Sequence, residues 1–313
     1  MWYMKIASWR KEDSLKLKKN IIKNTYKQYN RFISMKKYIA ISFILILLCI
    51  NIVSAESTIL IDKYHDTDNW WGDPNGTGQF LFGELTSLGF KTKISTTPIT
   101  DDTLKDSNIV VLWNPNNELN EEEIFSLRKF IDNGGSLLLL ASHEYDMIDP
   151  TRDSVNRLLE PYGIRVMKNG TDDPTNRKGC SCTPIIHNFT AHQITKDINS
   201  IILYKPASLD IKNGAIAIAK GDNDTFSIGT EPVGGENVIV VAINEKNKGK
   251  VAVIGSPYIF DNGKIGEMQN KEFAKNLFLW LADTNQFPSW PYYISIVVLI
   301  FIGYLLYLKK VRK

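Results

Sequence analysis

Apolar residues arrive along the chain in runs of two lengths. The short runs lie between residues 58 and 281 and alternate with segments of helical spacing. Thr58-Ile59-Leu60-Ile61-Asp62 is apolar until its polar end, the pattern of a strand buried on both faces. Phe80, Leu81, Leu85 and Leu88 follow at helical spacing, with Gly89 placed to stop the helix. Phe90 to Ser95 predicts a second strand, and Ile109 to Trp113 a third that ends at Asn114-Pro115. Asn120 with Glu123 forms a capping-box pair, and Ile124, Leu127, Phe130 and Ile131 make one apolar face before Gly134-Gly135. Leu137 to Leu140 is wholly apolar and predicts a central strand; Val155, Leu158 and Leu159 mark a helix ending near Gly163. The alternation predicts an α/β fold, a parallel sheet with helices on both faces. From 164 to 249 the pattern shortens to Ile201–Tyr204, Ala215–Ala219, Phe226–Ile228 and Val238–Ile243, an antiparallel, β-rich insertion. Val251 to Ile254 resumes the parallel order, and Phe273, Leu277, Trp280 and Leu281 give a closing helix. The sheet is therefore expected to take in a late strand after a long excursion.

The two long runs change the picture from a soluble domain to a tethered one. Tyr292 to Leu308 is almost wholly apolar, and seventeen residues at about 1.5 Å each reach roughly 26 Å, enough for a thin hydrocarbon core. Trp290, Tyr292, Tyr293 and Tyr307 stand at headgroup level, and Lys309-Lys310-Val311-Arg312-Lys313 is expected to stay cytoplasmic. At the other end Met35-Lys36-Lys37 precedes the apolar stretch Tyr38 to Val53, closed by Val53-Ser54-Ala55 before Glu56, the layout of a secretory signal. Residues 1–34 carry nine Lys/Arg against Glu12 and Asp13. They read either as an over-extended start before a true initiator at Met35 or as a basic tail before an uncleaved anchor. The expected organisation is a basic extension over 1–34, a signal or anchor over 35–55, and an extracytoplasmic domain over 56–288. A transmembrane helix over 289–308 and a cytoplasmic tail over 309–313 complete a single-pass protein of the cell membrane.

Charge sharpens the partner classes. The whole chain is +3, yet residues 56–288 hold 22 Lys/Arg against 32 Asp/Glu, a balance near −10. Nucleic-acid binding needs clustered cations against phosphate, so it is excluded as a partner class. With Cys49 in the signal segment, only Cys180 and Cys182 remain for the domain, and its core must stabilise it. Sequons stand at Asn75, Asn169, Asn188 and Asn223, a pattern compatible with export.

Four segments together resemble the class I glutamine amidotransferase-like superfamily. The likeness is to its non-catalytic, membrane-anchored branch, with gliding-motility transporter auxiliary proteins and intraflagellar-transport domains. The segments are Ile59-Leu60-Ile61-Asp62 with His65; Glu121 to Leu140 with its Gly134-Gly135 turn; Phe189-Thr190-Ala191-His192-Gln193-Ile194-Thr195; and Gly249 to Ile254 followed by Asn276 to Leu281. The resemblance implies a flavodoxin-like sheet with any site at the carboxyl ends of its strands, and an envelope or transporter protein as partner. It does not imply glutaminase activity. That chemistry needs a cysteine on a glycine-flanked turn and a downstream histidine. Here Leu140-Ala141-Ser142-His143-Glu144 has neither cysteine nor glycine, and no histidine stands in Gly255-Ser256-Pro257-Tyr258.

The strand ends supply the candidate crevice: Asp62, His65, Asp66, Asn114, Ser142, His143 and Glu144, with Asp146 close by. Imidazole and carboxylate suit zinc or manganese, so His65 and His143 are the candidate ligands of a divalent metal, although no cofactor is required by the pattern. The plain alternative is that strand ends are polar because loops are solvated. Ser142 lacks a Gly-x-Ser-x-Gly elbow, which argues against serine hydrolysis. Trp70 and Trp71 beside Asp66, Asp68, Asn69 and Asp73 resemble a sugar- or peptide-binding loop, or one tryptophan simply packs beneath it. Cys180-Ser181-Cys182, followed by His187 and His192, reads as a metal cluster or as a structural or incidental pair. One intervening residue is a poor spacing for zinc and a disulfide across it would close a tight ring, so the structural or incidental role is expected, with His192 explained by the resemblance as part of a turn. Two functions follow: a catalytically inactive binding module, or a metal-dependent or serine hydrolase acting on envelope glycans or peptides.

Overall fold

The computed structural model describes residues 18–19, 22–30, 32–33, 57–66, 72–245 and 248–282. Residues 22–30 are helical and exposed. Glu56–Ser289 forms one compact unit, separate from Met1–Ala55 and Trp290–Lys313. Among the described residues no helix is long and apolar enough to cross a membrane. The predicted signal segment 35–55 and span 289–308 lie outside the described residues, as do Trp70 and Trp71.

The parallel half of the sheet is built from β1 (Thr58–Asp62), β2 (Lys91–Ser95), β3 (Ile109–Trp113), β4 (Ser136–Leu140) and the late β14 (Lys250–Ile254), in the order β2-β1-β3-β4-β14. β14 pairs in parallel with β4, Val251 opposite Leu137 and Ile254 opposite Leu140, so the expected return after the excursion is present. β3 and β4 are buried at every position, as strands covered on both sides must be. β2 is the edge, and its Lys91 and Lys93 face solvent, which blunts an otherwise open row of backbone donors.

Side-chain alternation divides the core in two. Ile59, Ile61, Val111, Trp113, Leu138 and Leu140 point to one face, where they meet α1 (Gln79–Ser87) and α5 (Asn270–Ala282). Leu60, Val110, Leu112, Leu137 and Leu139 point to the other, against α3 (Glu121–Asp132) and α4 (Asp149–Leu159). The capping box at Asn120 forms as expected: its side chain accepts from the Glu123 amide at 3.0 Å, and Glu123 Oε2 accepts from the Asn120 amide at 3.0 Å. α4 runs on through a single 3-10 turn and stops at Gly163, whose φ of 67° and approach to the Lys212 carbonyl leave no room for a Cβ.

Several expectations are corrected. The buried face of α1 is Leu81, Phe82 and Leu85; Phe80 and Leu88 are exposed, because Phe82 turns inward onto Trp113 with ring centroids 6.1 Å apart. The short α2 (Asp101–Leu104) escapes periodicity because it is one turn long, begun by a Thr100 cap. Cys180 and Cys182 form a disulfide despite the tight ring expected across one residue, with Cα atoms 5.2 Å apart. Asn169 is fully buried and its amide donates to Ser208 Oγ and the Glu231 carbonyl, so its sequon is closed to glycosylation in the folded domain.

The insertion supplies β5 (Ile164–Val166), β6 (Asn169–Asp172), β7 (Ile185–Ile186), β8 (Asn188–Phe189), β9 (Ile201–Ile202), β10 (Leu209–Ile211), β11 (Ile216–Lys220), β12 (Phe226–Gly229) and β13 (Ile239–Asn244). β13 lies antiparallel to β14, and β10, β5, β11 and β8 extend the sheet from it; β12–β6 and β7–β9 are separate pairs. Gly255, just past β14, lets the insertion close on the sheet: a Cβ there would sit 1.9 Å from the Ala207 carbonyl oxygen.

Candidate functional site

Parallel strands that end together bring their following loops together, so the residues after β1, β3, β4 and β14 share one edge. After β1 the chain turns at Asp62, whose carboxylate accepts from the Tyr64 amide at 3.2 Å and from His65 Nδ1 at 2.8 Å. His65 Nε2 meets Glu123 at 3.3 Å, while Glu123 also accepts from the Ile99 amide at 3.0 Å. The His65 carbonyl accepts from the Asn116 amide at 2.8 Å, tying in the loop after β3. All three side chains are buried. Burial would depress the imidazole, but the Asp62 hydrogen bond with the Asp62 and Glu123 charges outweighs it and holds His65 above its ordinary value. Both ring nitrogens are engaged on opposite edges, so this is a brace between β1 and the start of α3. Each ring nitrogen faces a carboxylate oxygen.

Asn114 ends β3 with a φ of 50°, a left-handed conformation that Asn tolerates better than most residues. Its amide donates to the Leu140 carbonyl at 2.8 Å, whereas its side-chain Oδ1 is buried without a partner. Asp66, which follows His65 in the chain, is buried.

After β4 the predicted turn becomes a hydrogen-bonded hub on Asp146. Its Oδ2 accepts from Ser142 Oγ at 3.1 Å, from Tyr258 OH at 3.0 Å and from His143 Nε2 at 3.1 Å. His143 Nδ1 accepts the Tyr145 amide at 3.3 Å, which assigns the donated proton to Nε2. The His143 bond, with those of Tyr258 and Ser142, holds Asp146 below the usual carboxylate range against the opposing effect of burial. Burial and the Asp146 charge in turn push the Tyr258 hydroxyl up. The hydroxyl of Ser142 therefore faces a carboxylate of lowered basicity, and the imidazole serves the carboxylate instead of the serine. Tyr258 takes the downstream side where the resemblance expects a histidine in catalytic relatives.

One group that the sequence pattern did not single out, Arg152, holds this hub. Arg152 of α4, buried, donates to the His143 carbonyl at 3.2 Å and to Asp149 at 3.1 Å. Glu144 points away from the hub and accepts from the Thr230 amide at 3.3 Å, joining the turn after β4 to the end of β12. Helical spacing places Arg152 and Asp149 on one side of α4, a signal that a search for i, i+3 ion pairs detects. Tyr145, 74% exposed, and Tyr204, 37% exposed, form an aromatic rim here, with Tyr204 edge-on to Tyr258 at 5.1 Å and Lys205 Nζ 5.2 Å above the Tyr145 ring.

Among the described residues, the side chains able to offer three ligand atoms within 4.8 Å of one another are Asp173, Asp222 and Asp224, not the predicted His65 and His143. Asp173 is already an acceptor for the Thr175 and Asn176 amides at 2.9 and 2.6 Å and for Thr225 Oγ1 at 2.8 Å. His192 begins a 3-10 turn, capping the Ile194 amide at 3.2 Å, and His187 Nδ1 bonds the Asn199 carbonyl at 3.1 Å; both serve local structure.

The family model of the IFT52 GIFT domain matches residues 83–173, from α1 through β6. No curated protein matches the chain. Among solved structures the mmIFT52 N-terminal domain is similar at a TM-score of 0.61 and 20% identity, covering 73% of this chain and 99% of that one. A protein described as ThuA-like from Bacteroides uniformis is similar at a TM-score of 0.51 and 12% identity, covering 74% and 93%. At these identities the likeness is one of fold, shared with the mmIFT52 N-terminal domain and the ThuA-like protein.

Proposed function

We propose that the domain is a catalytically inactive binding module that docks a protein partner at the carboxyl edge of its sheet. The observation that carries this reading is the Asp146 hub. A serine becomes a nucleophile when a base takes its proton, and the one acceptor that Ser142 has is a carboxylate already served by two other donors. The same edge offers Tyr145, Tyr204 and Lys205, a rim of large rings and one cation on a rigid frame, which is the kind of surface that anchors a partner. The partner we propose is an envelope or transport component, with the domain held at the membrane through Tyr292–Leu308 and placed on its outer side. The apolar run with its basic tail supports that placement, and so does the Cys180–Cys182 disulfide, since disulfides persist in oxidising compartments.

The test uses the full-length chain in membranes. Ammonia release from glutamine and hydrolysis of acyl and glycosidic substrates are expected to be absent, and Tyr145→Ala with Tyr204→Ala is expected to abolish cross-linking to its envelope partner without changing the melting temperature. Any hydrolysis lost on Ser142→Ala would overturn the reading.

A further inference from the structure

The Cys180–Cys182 bridge closes a ring around one residue, Ser181, and a cross-link this short removes little chain entropy from the unfolded state. Its loop is held without it. Ser181 accepts the Asp173 amide through its carbonyl at 2.8 Å and donates its hydroxyl to Asp172 at 2.7 Å. Thr183 donates to the Cys180 carbonyl at 3.2 Å and accepts the Lys178 amide at 3.1 Å; the Cys182 carbonyl accepts the Lys205 amide at 2.6 Å. None of these bonds involves sulfur, so the loop keeps its path whether the pair is oxidised or reduced. Cys180 is exposed and Cys182 half-buried, so Cys180 is the more accessible residue of the pair to an incoming thiolate. The buried Thr183 hydroxyl lies 3.4 Å from Cys180 Sγ and 4.0 Å from Cys182 Sγ, close enough to both to donate to whichever becomes thiolate.

We infer that Cys180–Cys182 is a thiol–disulfide exchange site whose reductant is a dithiol. A thiolate of the dithiol attacks Cys180 Sγ; the Cys180–Cys182 bond breaks, and its electron pair leaves on Cys182 Sγ, which takes up a proton. The second thiolate of the dithiol then attacks its own sulfur in the mixed disulfide, releasing Cys180, which is protonated in turn. The dithiol is oxidised to a disulfide and the pair is reduced to two thiols, with two electrons transferred. Lys205 connects the site to the Tyr145 rim, so the exchanging protein would reach it beside the docking edge, but the chemistry does not depend on docking there.

The experiment equilibrates the full-length chain in buffers of graded oxidised-to-reduced dithiothreitol, alkylates free thiols and reads the mass of the peptide that contains both cysteines. We expect a reversible passage between no added alkyl groups and two, at an unchanged melting temperature and circular dichroism. With oxidised glutathione, Cys182→Ser should trap a mixed disulfide on Cys180 several-fold faster than Cys180→Ser traps one on Cys182, and Thr183→Val should slow reduction of the native pair several-fold. A bridge reduced only in denaturant would overturn the inference, as would reduction that lowers the melting temperature. Equal trapping rates in the two single variants would overturn the assignment of Cys180 as the attacked sulfur.

Discussion

Asp146 illustrates how much one side chain can decide. Three donors converge on a single oxygen, so Asp146→Asn removes a charge-assisted acceptor and leaves buried donors unsatisfied; a loss of about 1–3 kcal/mol is expected in chemical denaturation. Ser142→Ala removes one neutral donor and should cost about 0.5–1.5 kcal/mol. The pH dependence has a definite sign. Asp146 is held below its ordinary value of 3.8, so its contribution is present above that pH and is lost as the solution is acidified through the folded value. The stability gap between the native chain and Asp146→Asn should therefore close in acid. His65 runs the other way. Its folded value lies above 6.5, so its contribution is complete below pH 6.5 and declines as pH rises through the folded value. The gap between native chain and His65→Gln should narrow as the pH rises above 6.5; a constant gap would show that the buried ring acts by packing alone. Both histidines, with Asp62 and Asp146 three residues from them, were visible in the sequence as polar residues at strand ends. The hold of Glu123 on His65 was not, because a partner 58 residues away in the chain leaves no local trace.

At the scale of elements, helix starts and strand ends carry the tightest constraints. Asn120→Ala should cost about 1 kcal/mol from the lost cap. It should also loosen Glu123, and with it the brace to His65, so the combined Asn120→Ala, His65→Gln variant should fall short of additivity in a double-mutant cycle. Gly255→Ala places a methyl against the Ala207 carbonyl where β14 meets the insertion, and about 1–3 kcal/mol or more is expected from the resulting shift, with β10 and β13 exchanging amide hydrogens faster. The regular elements were legible because each obeys a local rule. Thr58–Asp62, Ile109–Trp113 and Ser136–Leu140 are each built around an unbroken apolar run, and the Asn120–Glu123 pair marks the start of α3. Ile201–Ile202 falls within the predicted run Ile201–Tyr204, but other short strands of the insertion, such as Ile164–Val166, Ile185–Ile186 and Leu209–Ile211, were illegible, because they are defined by their partners and not by any period of their own.

For the whole molecule, the proposed topology makes a direct prediction. Protease added to intact cells should remove residues 56–288 while a C-terminal tag remains protected, and the mature chain should begin at Glu56 if the signal is cleaved. A tag digested from outside would refute the arrangement. By itself the sequence determined the class of fold, the parallel core, the late return of β14 and the absence of a cysteine–histidine pair at the elbow, since hydrophobic period and residue identity are local properties. Tertiary structure alone decided that Ser142 meets a carboxylate in place of a base, that Tyr258 reaches Asp146 from 112 residues away, that Asn169 is closed and that Cys180 and Cys182 are joined. Those outcomes depend on which loops the sheet brings to one edge, and a hydrogen bond is made by distance and direction in space, not by neighbourhood in the chain.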